Sequence, residues 1–331
     1  LMVTAELAPV AKAGGLADMV AGLARTLAAH GHDVRVLMPR YALDTMPPAP
    51  VATGPGSFVS PVRLGAGHPA VDLLATRAGA LPLYLVAAPG LVEPGVIYGG
   101  GPAELARFAL LAHSIAPLVT ATGFRPDIVH CHDWHTALAP LLLASPSGTA
   151  LRAAGTRTVL TLHNVGYQGH FGPAAIDDLG LGAVRGSLPA ADPATGQLSC
   201  LAAGIAHADA LTTVSPSHAR EILTPEYGHG LDGALRARAG DLTGILNGVD
   251  YAAWDPAHDA ALPAHYAAGN LAGKRRCRDA LADACGLAAD ATPVVGCVAR
   301  LATQKGLDLL LEALPGLLAA GRLRAVVLGT G

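Results

Sequence analysis

Apolar positions in this chain recur either in short continuous runs or at helical spacing. The continuous runs predict buried strands at residues 2–5, 34–38, 71–75, 83–87, 127–131, 158–162, 210–214, 294–298 and 325–328. Leu16, Met19, Val20, Leu23 and Leu27 lie on one helical face and are followed by Gly31, so they predict a helix that ends there. Residues 103–121 and 305–318 predict two more helices. Strands that are apolar throughout and alternate with helices are typical of an α/β fold with a parallel sheet covered on both faces.

The composition of the sequence changes near residue 246. Residues 247–266 are rich in turn residues and 274–279 form a charged cluster, before a new strand begins at 294. We therefore expect a complete first domain at 1–245, a linker at 246–292, and the start of a second domain at 293–331. About 39 residues are too few to close a core alone, and both ends of the chain fall beside apolar runs, so we expect a truncated chain.

Composition excludes several classes of protein. The chain has 331 residues, of which 51% are hydrophobic and only 14% charged, which excludes intrinsic disorder. The mean hydropathy is +0.41, but the longest uncharged stretch considered as a membrane span, residues 108–124, is shorter than the ~20 residues that a span needs. We expect no contact with a membrane. The net charge of -3 and the lack of a basic stripe argue against nucleic acid.

The cysteines indicate a cellular compartment and the lysines mark candidate phosphate sites. Five scattered cysteines without a C-x-x-C pair predict neither a disulfide framework nor a zinc site, and they favour a location of the protein in the reducing cytoplasm. Arginine is the usual cation, since only three lysines occur. Lys12 and Lys305 stand at candidate phosphate sites, whereas Lys274 belongs to a charged cluster that we interpret as solvated surface.

The first candidate site is the sequence KAGGLAD at residues 12–18, between a strand and a helix. Gly14 and Gly15 allow the backbone to approach a ligand closely, and the helix N-terminus favours an anion. With Lys12 beside them, they form a candidate site for a diphosphate or a sugar phosphate. The alternative is an ordinary glycine turn with a solvated lysine.

The second candidate site is the sequence HCHDWH at residues 130–135, where a strand ends. Ligands bind at the carboxyl ends of strands in open α/β sheets. His130 and His132 face the same side, but they lack the further ligands of a metal site, and we interpret His130 as a core histidine. A sugar site suits the segment better, with Asp133 binding hydroxyl groups and Trp134 covering a ring.

Three more motifs carry polar groups at strand ends or at the expected domain junction. His163 and Asn164 follow a strand and precede a glycine-containing loop, while Asn247 stands in an Asn-Gly sequence that also fits a plain turn. Arg300 and Lys305 flank the start of a helix after the strand at 294–298. Two cations and a helix dipole at one place suit a diphosphate.

Taken together and in this order, these motifs resemble the bacterial glycogen synthase and plant starch synthase family. The resemblance rests on the sequences KAGGLAD, HDWH, LHN with YQG, VSPSHAREI, LNGVD and RLATQKGLDLLLEALPGL, and it covers nearly the whole chain. It implies a GT-B fold with two Rossmann-like domains and an active site in the cleft between them. It also implies transfer of glucose from ADP-glucose to the non-reducing end of an α-1,4-glucan such as glycogen. The transfer would retain the anomeric configuration and require no metal or other cofactor.

The resemblance also implies roles for residues that match its motifs. Lys12, Gly14 and Gly15 would contact the diphosphate or the reacting centre, and Arg300 and Lys305 would stabilise the charge that grows on the phosphate. The substrate-binding set would be Asp18, Asp133, His163, Asn164 and Asn247, with His163 and Asn247 at the donor glucose. A nucleotide leaving group needs no proton, so the paired carboxyl groups of glycosidases are not required.

Some departures and alternatives remain. Ala13 stands where the family commonly has threonine, which removes one hydroxyl but leaves the glycine backbone. The chain also stops before the family's later glutamate motif, and for that reason we expect negligible transferase activity from these 331 residues. A UDP-glucose-dependent transferase of the same fold and a non-catalytic glucan-binding scaffold remain open. An NAD-dependent oxidoreductase is disfavoured because the first loop lacks G-x-G-x-x-G.

Overall fold

The computed structural model describes residues 1–47, 72–251, 253–288 and 290–329. The chain divides into two compact units, Leu1–Val249 and Asp250–Gly331. Each unit contains a sheet of its own, so the two are described separately.

Eight strands of the first unit form one sheet in the described part of the chain. These strands are β1 Met2–Val3, β2 Val36–Pro39, β3 Asp72–Ala78, β4 Leu81–Ala87, β5 Ile128–His132, β6 Arg157–Leu162, β9 Ala210–Thr213 and β10 Leu242–Gly244, while the short strands β7 His170–Phe171 and β8 Leu198–Ser199 pair with each other. The order of the strands across the large sheet is β10-β9-β6-β5-β1-β2-β4-β3. All neighbours in the large sheet are parallel except β3 and β4. The expected parallel sheet therefore has one antiparallel edge strand.

Helices cover this sheet because successive strand residues point to opposite faces. In β2, Val36 and Met38 belong to one buried cluster and Leu37 to the other. The helices of the first unit are α1 Gly15–Ala29, α2 Gly101–His113, α3 Ile115–Thr122, α4 Leu138–Ala144, α5 Thr149–Ala153, α6 Cys200–His207, α7 Pro216–Glu221 and α8 Asp232–Ala237. Helix α1 supplies Val20 to one cluster, while α2 and α3 supply residues such as Leu111 to the other.

The predicted helix at 103–121 is two helices joined at Ser114. Pro117 lies in the first turn of α3, lacks a backbone N–H, and would clash with the carbonyl of His113 in a continuous helix. The combined stretch Gly101–Thr122 is long and apolar enough to cross a membrane by length and composition, but half of its most apolar window is buried inside the protein. Leu111 and Leu118 are fully buried there, as core helices require.

The second unit contains helix α9 Ala272–Ala284, strand β11 Val294–Val298, helix α10 Leu307–Ala319 and strand β12 Arg324–Leu328. Strands β11 and β12 are parallel neighbours, which agrees with the predicted strand-helix-strand order. The charged cluster that includes Lys274 lies on α9, a helix that the sequence pattern did not predict. The predicted strand at 71–75 begins at Val71, which lies outside the described residues; β3 starts at Asp72.

Candidate active site

Polar side chains follow three neighbouring parallel strands of the first sheet. Glu6 lies three residues after β1, Asp133 directly follows β5, and His163 directly follows β6. Because β6, β5 and β1 are adjacent and parallel, their carboxyl ends share one edge of the sheet. This edge is where open α/β sheets bind ligands.

The glycine loop after β1 is held by the buried carboxylate of Glu6, which is 3% exposed. Glu6 Oε2 accepts hydrogen bonds from the backbone N–H of Ala13 at 2.6 Å and of Gly14 at 2.8 Å. Its other oxygen accepts the hydroxyl of Tyr98. The Gly14 N–H, a predicted phosphate ligand, is therefore already engaged by a carboxylate of the same unit.

Lys12 and Asp18, two predicted site residues, form an ion pair in the same loop. Lys12 Nζ lies 2.8 Å from Asp18 Oδ2, and their side chains are 44% and 33% exposed. Asp18 belongs to the first turn of α1, which begins at Gly15. The structure thus brings Lys12, Gly14, Gly15 and Asp18 together at one exposed helix N-terminus.

Asp133 connects the ends of β5 and β6. Its Oδ1 accepts the backbone N–H of His163 at 2.7 Å and of Asn164 at 3.1 Å. Burial raises the pKa of Asp133 to about 7, although these two hydrogen bonds oppose the rise. Its backbone has φ 57° and ψ -174°, a conformation that glycine adopts more readily than aspartate. A strained, buried carboxyl group is typical of a functional site.

His163 lies beside a second buried histidine. His132 Nδ1 is 3.2 Å from His163 Nε2, and burial lowers the pKa of His163 to about 4. The neighbouring Asn164 accepts the backbone N–H of Gly166 at 3.0 Å, which folds the loop after β6. His163 is therefore a neutral imidazole at physiological pH, suited to hydrogen bonds with hydroxyl groups.

His130 behaves as the predicted core histidine. Its Nε2 lies 2.7 Å from Thr161 Oγ1, and burial lowers its pKa to about 4. The rings of His130 and His132 are 4.3 Å apart, so the two do share one face of the sheet. Among the described residues, no group of three or more His, Cys, Asp or Glu side chains is arranged to hold a metal ion.

The expectation that Trp134 covers a sugar ring is wrong. Trp134 is only 8% exposed and packs edge-on against Phe108 at 5.2 Å. A Cβ placed on Gly169 would come within 2.2 Å of the Trp134 ring, so the loop backbone lies directly against the indole. Trp134 therefore joins the YQG loop to the core.

The remaining predicted residues are exposed. Asn247 follows β10 in the first unit. In the second unit, Arg300 follows β11, and Lys305 ends a short turn before α10. Gly306, at φ 64°, lies between Lys305 and that helix. Both cations thus lie between a strand and a helix N-terminus, as the sequence predicts.

The starch synthase catalytic domain family matches residues 1–237 of the chain. The chain belongs to the glycogen and starch synthase family. Glycogen synthase from Anaeromyxobacter dehalogenans strain 2CP-C is 45% identical over 342 residues, which span 100% of this chain and 69% of the relative. Glycogen synthase from Geotalea daltonii is 39% identical, again over 100% of this chain and 69% of the relative.

A solved structure of the same family supports this assignment. The catalytic domain of starch synthase IV from Arabidopsis thaliana, bound to ADP and acarbose, superposes with a TM-score of 0.87 at 32% identity. The match covers 99% of this chain and 67% of that one. The GT-B fold class is thereby confirmed, and so is the predicted activity class: the chain is a glycosyltransferase of the glycogen and starch synthase type.

The sequence patterns assigned no role in this candidate site to Glu6, Tyr98 or His132. Glu6 and His132 are buried and Tyr98 is half-buried. Glu6 holds the backbone of Ala13 and Gly14, Tyr98 donates its hydroxyl to Glu6, and His132 contacts His163. Glu6 was detectable as a carboxylate just beyond a buried strand. Tyr98 was not, since it contacts Glu6 across 92 positions of sequence.

Proposed function

We propose that this chain takes part in transferring glucose from ADP-glucose to the non-reducing end of an α-1,4-glucan, with retention of configuration. The observation that carries the choice of substrates is the likeness to starch synthase IV bound to ADP, the nucleotide, and to acarbose, a glucan-like ligand. We assign residues 1–245 to the glucan-acceptor and catalytic domain, 246–292 to the linker, and 293–331 to the start of the nucleotide-sugar domain.

The phosphate charge would be stabilised by three cations. Arg300 and Lys305 lie in the connection between β11 and α10, and the N-terminus of α10 adds the positive end of a helix dipole. Lys12 stands at the N-terminal side of α1, where its partner Asp18 already orients it. Cations fixed where negative charge develops supply the largest catalytic contribution in many enzymes. Of the glycine pair, only Gly15 would offer its N–H without first displacing Glu6.

The sugar hydroxyls would be bound by neutral or hydrogen-bonding groups. His163 and Asn247 are assigned to the donor glucose, with Asn164 beside His163. Asp133 Oδ1 accepts the backbone N–H groups of His163 and Asn164 and so positions His163. Its second carboxyl oxygen, Oδ2, would bind a sugar hydroxyl. Asp18 would contact sugar hydroxyls while paired with Lys12.

We propose that the transfer needs no metal or redox cofactor and that the protein works in the cytoplasm. A nucleotide diphosphate departs without protonation, and side-chain cations can take the place of a metal ion at the phosphates. All five cysteines are free thiols, which fits a reducing compartment. Activity that survives a chelator would support the first statement, and activity restored only by a divalent ion would contradict it.

The decisive experiment compares two sugar-nucleotide donors. The natural polypeptide that contains this chain is given glycogen with labelled ADP-glucose or labelled UDP-glucose, and incorporation of glucose is measured for each. We expect a clear preference for ADP-glucose. Preferred use of UDP-glucose would assign the other donor, and glycogen binding without binding of either nucleotide sugar would identify a scaffold.

Variants of the same polypeptide test the phosphate assignment. Replacing Arg300 or Lys305 with alanine should lower kcat by roughly 100- to 1,000-fold, the usual loss when one stabilising group is removed from developing charge. Lys274→Ala is the matched control, since Lys274 is an exposed lysine of the second unit that contacts Tyr266. An equal loss in Lys274→Ala would contradict a specific role for Lys305.

A further inference from the structure

His132 is a fully buried polar side chain for which the proposed chemistry has no use. It lies at the end of β5, and its ring centroid is 4.3 Å from that of His130 and 5.4 Å from that of His163, with both pairs of rings tilted. Its Nδ1 lies 3.2 Å from His163 Nε2. The ring of His163 makes no other hydrogen bond with the residues that the structure describes.

All three histidines are neutral at physiological pH. Burial lowers the pKa of His130 and of His163 to about 4, and it lowers the pKa of His132 well below its usual value. A neutral imidazole carries one N–H and one unprotonated nitrogen. In the contact between His132 and His163, one ring must therefore donate and the other must accept.

The second ring nitrogen of His132, Nε2, decides which of the two rings donates the hydrogen bond. His132 Nε2 is buried and has no hydrogen-bond partner within the described part of the chain. A proton on Nε2 would create a buried N–H without an acceptor, and orphaned N–H groups are rarer in proteins than orphaned acceptors. The proton of His132 is therefore expected on Nδ1, where it is donated to His163.

We propose that His132 is a positioning residue that donates Nδ1–H to His163 Nε2 and so holds His163 as its Nδ1–H tautomer. The inference rests on the proposed function in one respect: His163 is the residue that contacts the sugar. Its remaining N–H is then a fixed donor, which presents a hydrogen to an oxygen of the sugar. Without His132, the ring could reverse its tautomer and present a lone pair.

The test is direct observation of the tautomer. The chain is labelled with ¹⁵N in its histidine rings, and long-range proton–nitrogen correlation spectra show which ring nitrogen carries the proton. The His163 signals are assigned by their loss in His163→Asn. We expect a proton on Nδ1 of both His132 and His163 in the unmodified chain. A proton on Nε2 of His163 would overturn the proposal.

Variants separate positioning from packing. His132→Leu fills similar space without a donor and should allow the Nε2–H tautomer of His163 to form. His132→Asn keeps an amide donor near the position of Nδ1 and should restore the Nδ1–H tautomer. His130→Leu removes the other histidine beside His132 and should leave the His163 tautomer unchanged. If His132→Leu fails to fold, the unmodified chain and His132→Asn still decide the question.

Kinetics of the natural polypeptide complete the test. His132→Leu should lower kcat/KM by about 10-fold, the equivalent of one misdirected hydrogen bond, with partial recovery in His132→Asn. An unchanged tautomer in folded His132→Leu overturns the proposal. A confirmed tautomer in a protein that binds no nucleotide sugar would instead overturn the proposed function alone.

Discussion

The carboxylate of Glu6 lies 2.8 Å from the backbone nitrogen of Gly14. It also accepts the N–H of Ala13, so one buried side chain sets the path of the loop that leads into α1. Glu6→Ala would leave two N–H groups and the Tyr98 hydroxyl without this acceptor. We expect a loss of about 2–4 kcal/mol in the free energy of unfolding, measured by urea denaturation.

Tyr98→Phe is the matched variant for this contact. It removes the Tyr98 hydroxyl that donates to Glu6 and keeps the ring, whose centroid lies 5.0 Å from that of His135. We expect it to cost about 1 kcal/mol. A loss in Glu6→Ala no larger than that in Tyr98→Phe would show that Glu6 does not hold the loop.

Asp133 predicts an unusual pH dependence of stability. Burial raises its pKa to about 7, above the unfolded value near 3.8. The favourable contribution of the protonated group is therefore fully present below about pH 4 and is lost as the pH rises through 7. Asn keeps an oxygen for both N–H groups but does not ionise. The stability of Asp133→Asn relative to the unmodified chain should thus increase between pH 4 and 8, by an amount on the order of 3 kcal/mol.

Urea denaturation at several pH values measures this difference. A ¹³C titration of the Asp133 carboxyl group gives its pKa directly. A difference that does not vary with pH, or that falls as the pH rises, would contradict a raised pKa at Asp133.

The elements predicted best are those whose pattern is local. Helix α1 and strand β11 match their predicted ranges closely, because helical spacing and a short continuous apolar run are signals that a few neighbouring residues carry. The break at Ser114 followed from Pro117, a local signal that the apolar composition of the stretch obscured. The antiparallel edge strand β3 depends on its pairing with β4, which composition does not encode.

The site residues placed by strand order could be predicted, whereas the burial of Trp134 could not. Asp133 and His163 directly follow parallel strands and Lys12 lies in the loop between β1 and α1, so topology alone places them at one edge of the sheet. Trp134 was misinterpreted because an aromatic residue in a polar motif suggests a ligand, whereas contacts with Phe108 and Gly169, distant in sequence, bury it. Contacts between distant positions decide such cases, and one sequence does not display them.

Gly169 provides a test of that burial. It has φ 63°, and a Cβ there would lie 2.2 Å from Trp134 Cε3. Gly169→Ala should lower the free energy of unfolding by about 2–4 kcal/mol, through both the clash and the strained backbone. It should also change the tryptophan fluorescence, since the chain has only two tryptophans.

Gly172→Ala is the control for this variant. Gly172 has φ -75°, and nothing lies within 4 Å of its added Cβ. We expect a change within about 0.5 kcal/mol and unaltered fluorescence. Equal effects of the two substitutions would contradict the close approach of the loop to Trp134.

Asp209 should show the opposite pH dependence to Asp133. Its carboxylate accepts hydrogen bonds from Arg152, from the Thr158 N–H at 2.7 Å and from the Thr158 hydroxyl at 2.8 Å, which joins α5 to β6. Burial tends to raise the pKa of Asp209, but these bonds outweigh it and hold the pKa at about 2. Because this value lies below the unfolded one, the stabilisation is present above about pH 4 and is lost as the pH falls through 2.

Asp209→Asn should therefore cost about 1–2 kcal/mol at pH 7, and the cost should shrink as the pH approaches 2. Urea denaturation between pH 2.5 and 7 measures it. Asp177→Asn is the control, because the pair of Asp177 with Arg185 is 73% and 51% exposed and should contribute less than about 0.5 kcal/mol. If Asp209→Asn lowers the free energy of unfolding at pH 7 no more than Asp177→Asn does, then the contacts of Asp209 between α5 and β6 do not stabilise the fold. A cost that grows toward low pH would require a raised pKa, contrary to the hydrogen bonds that the carboxylate accepts.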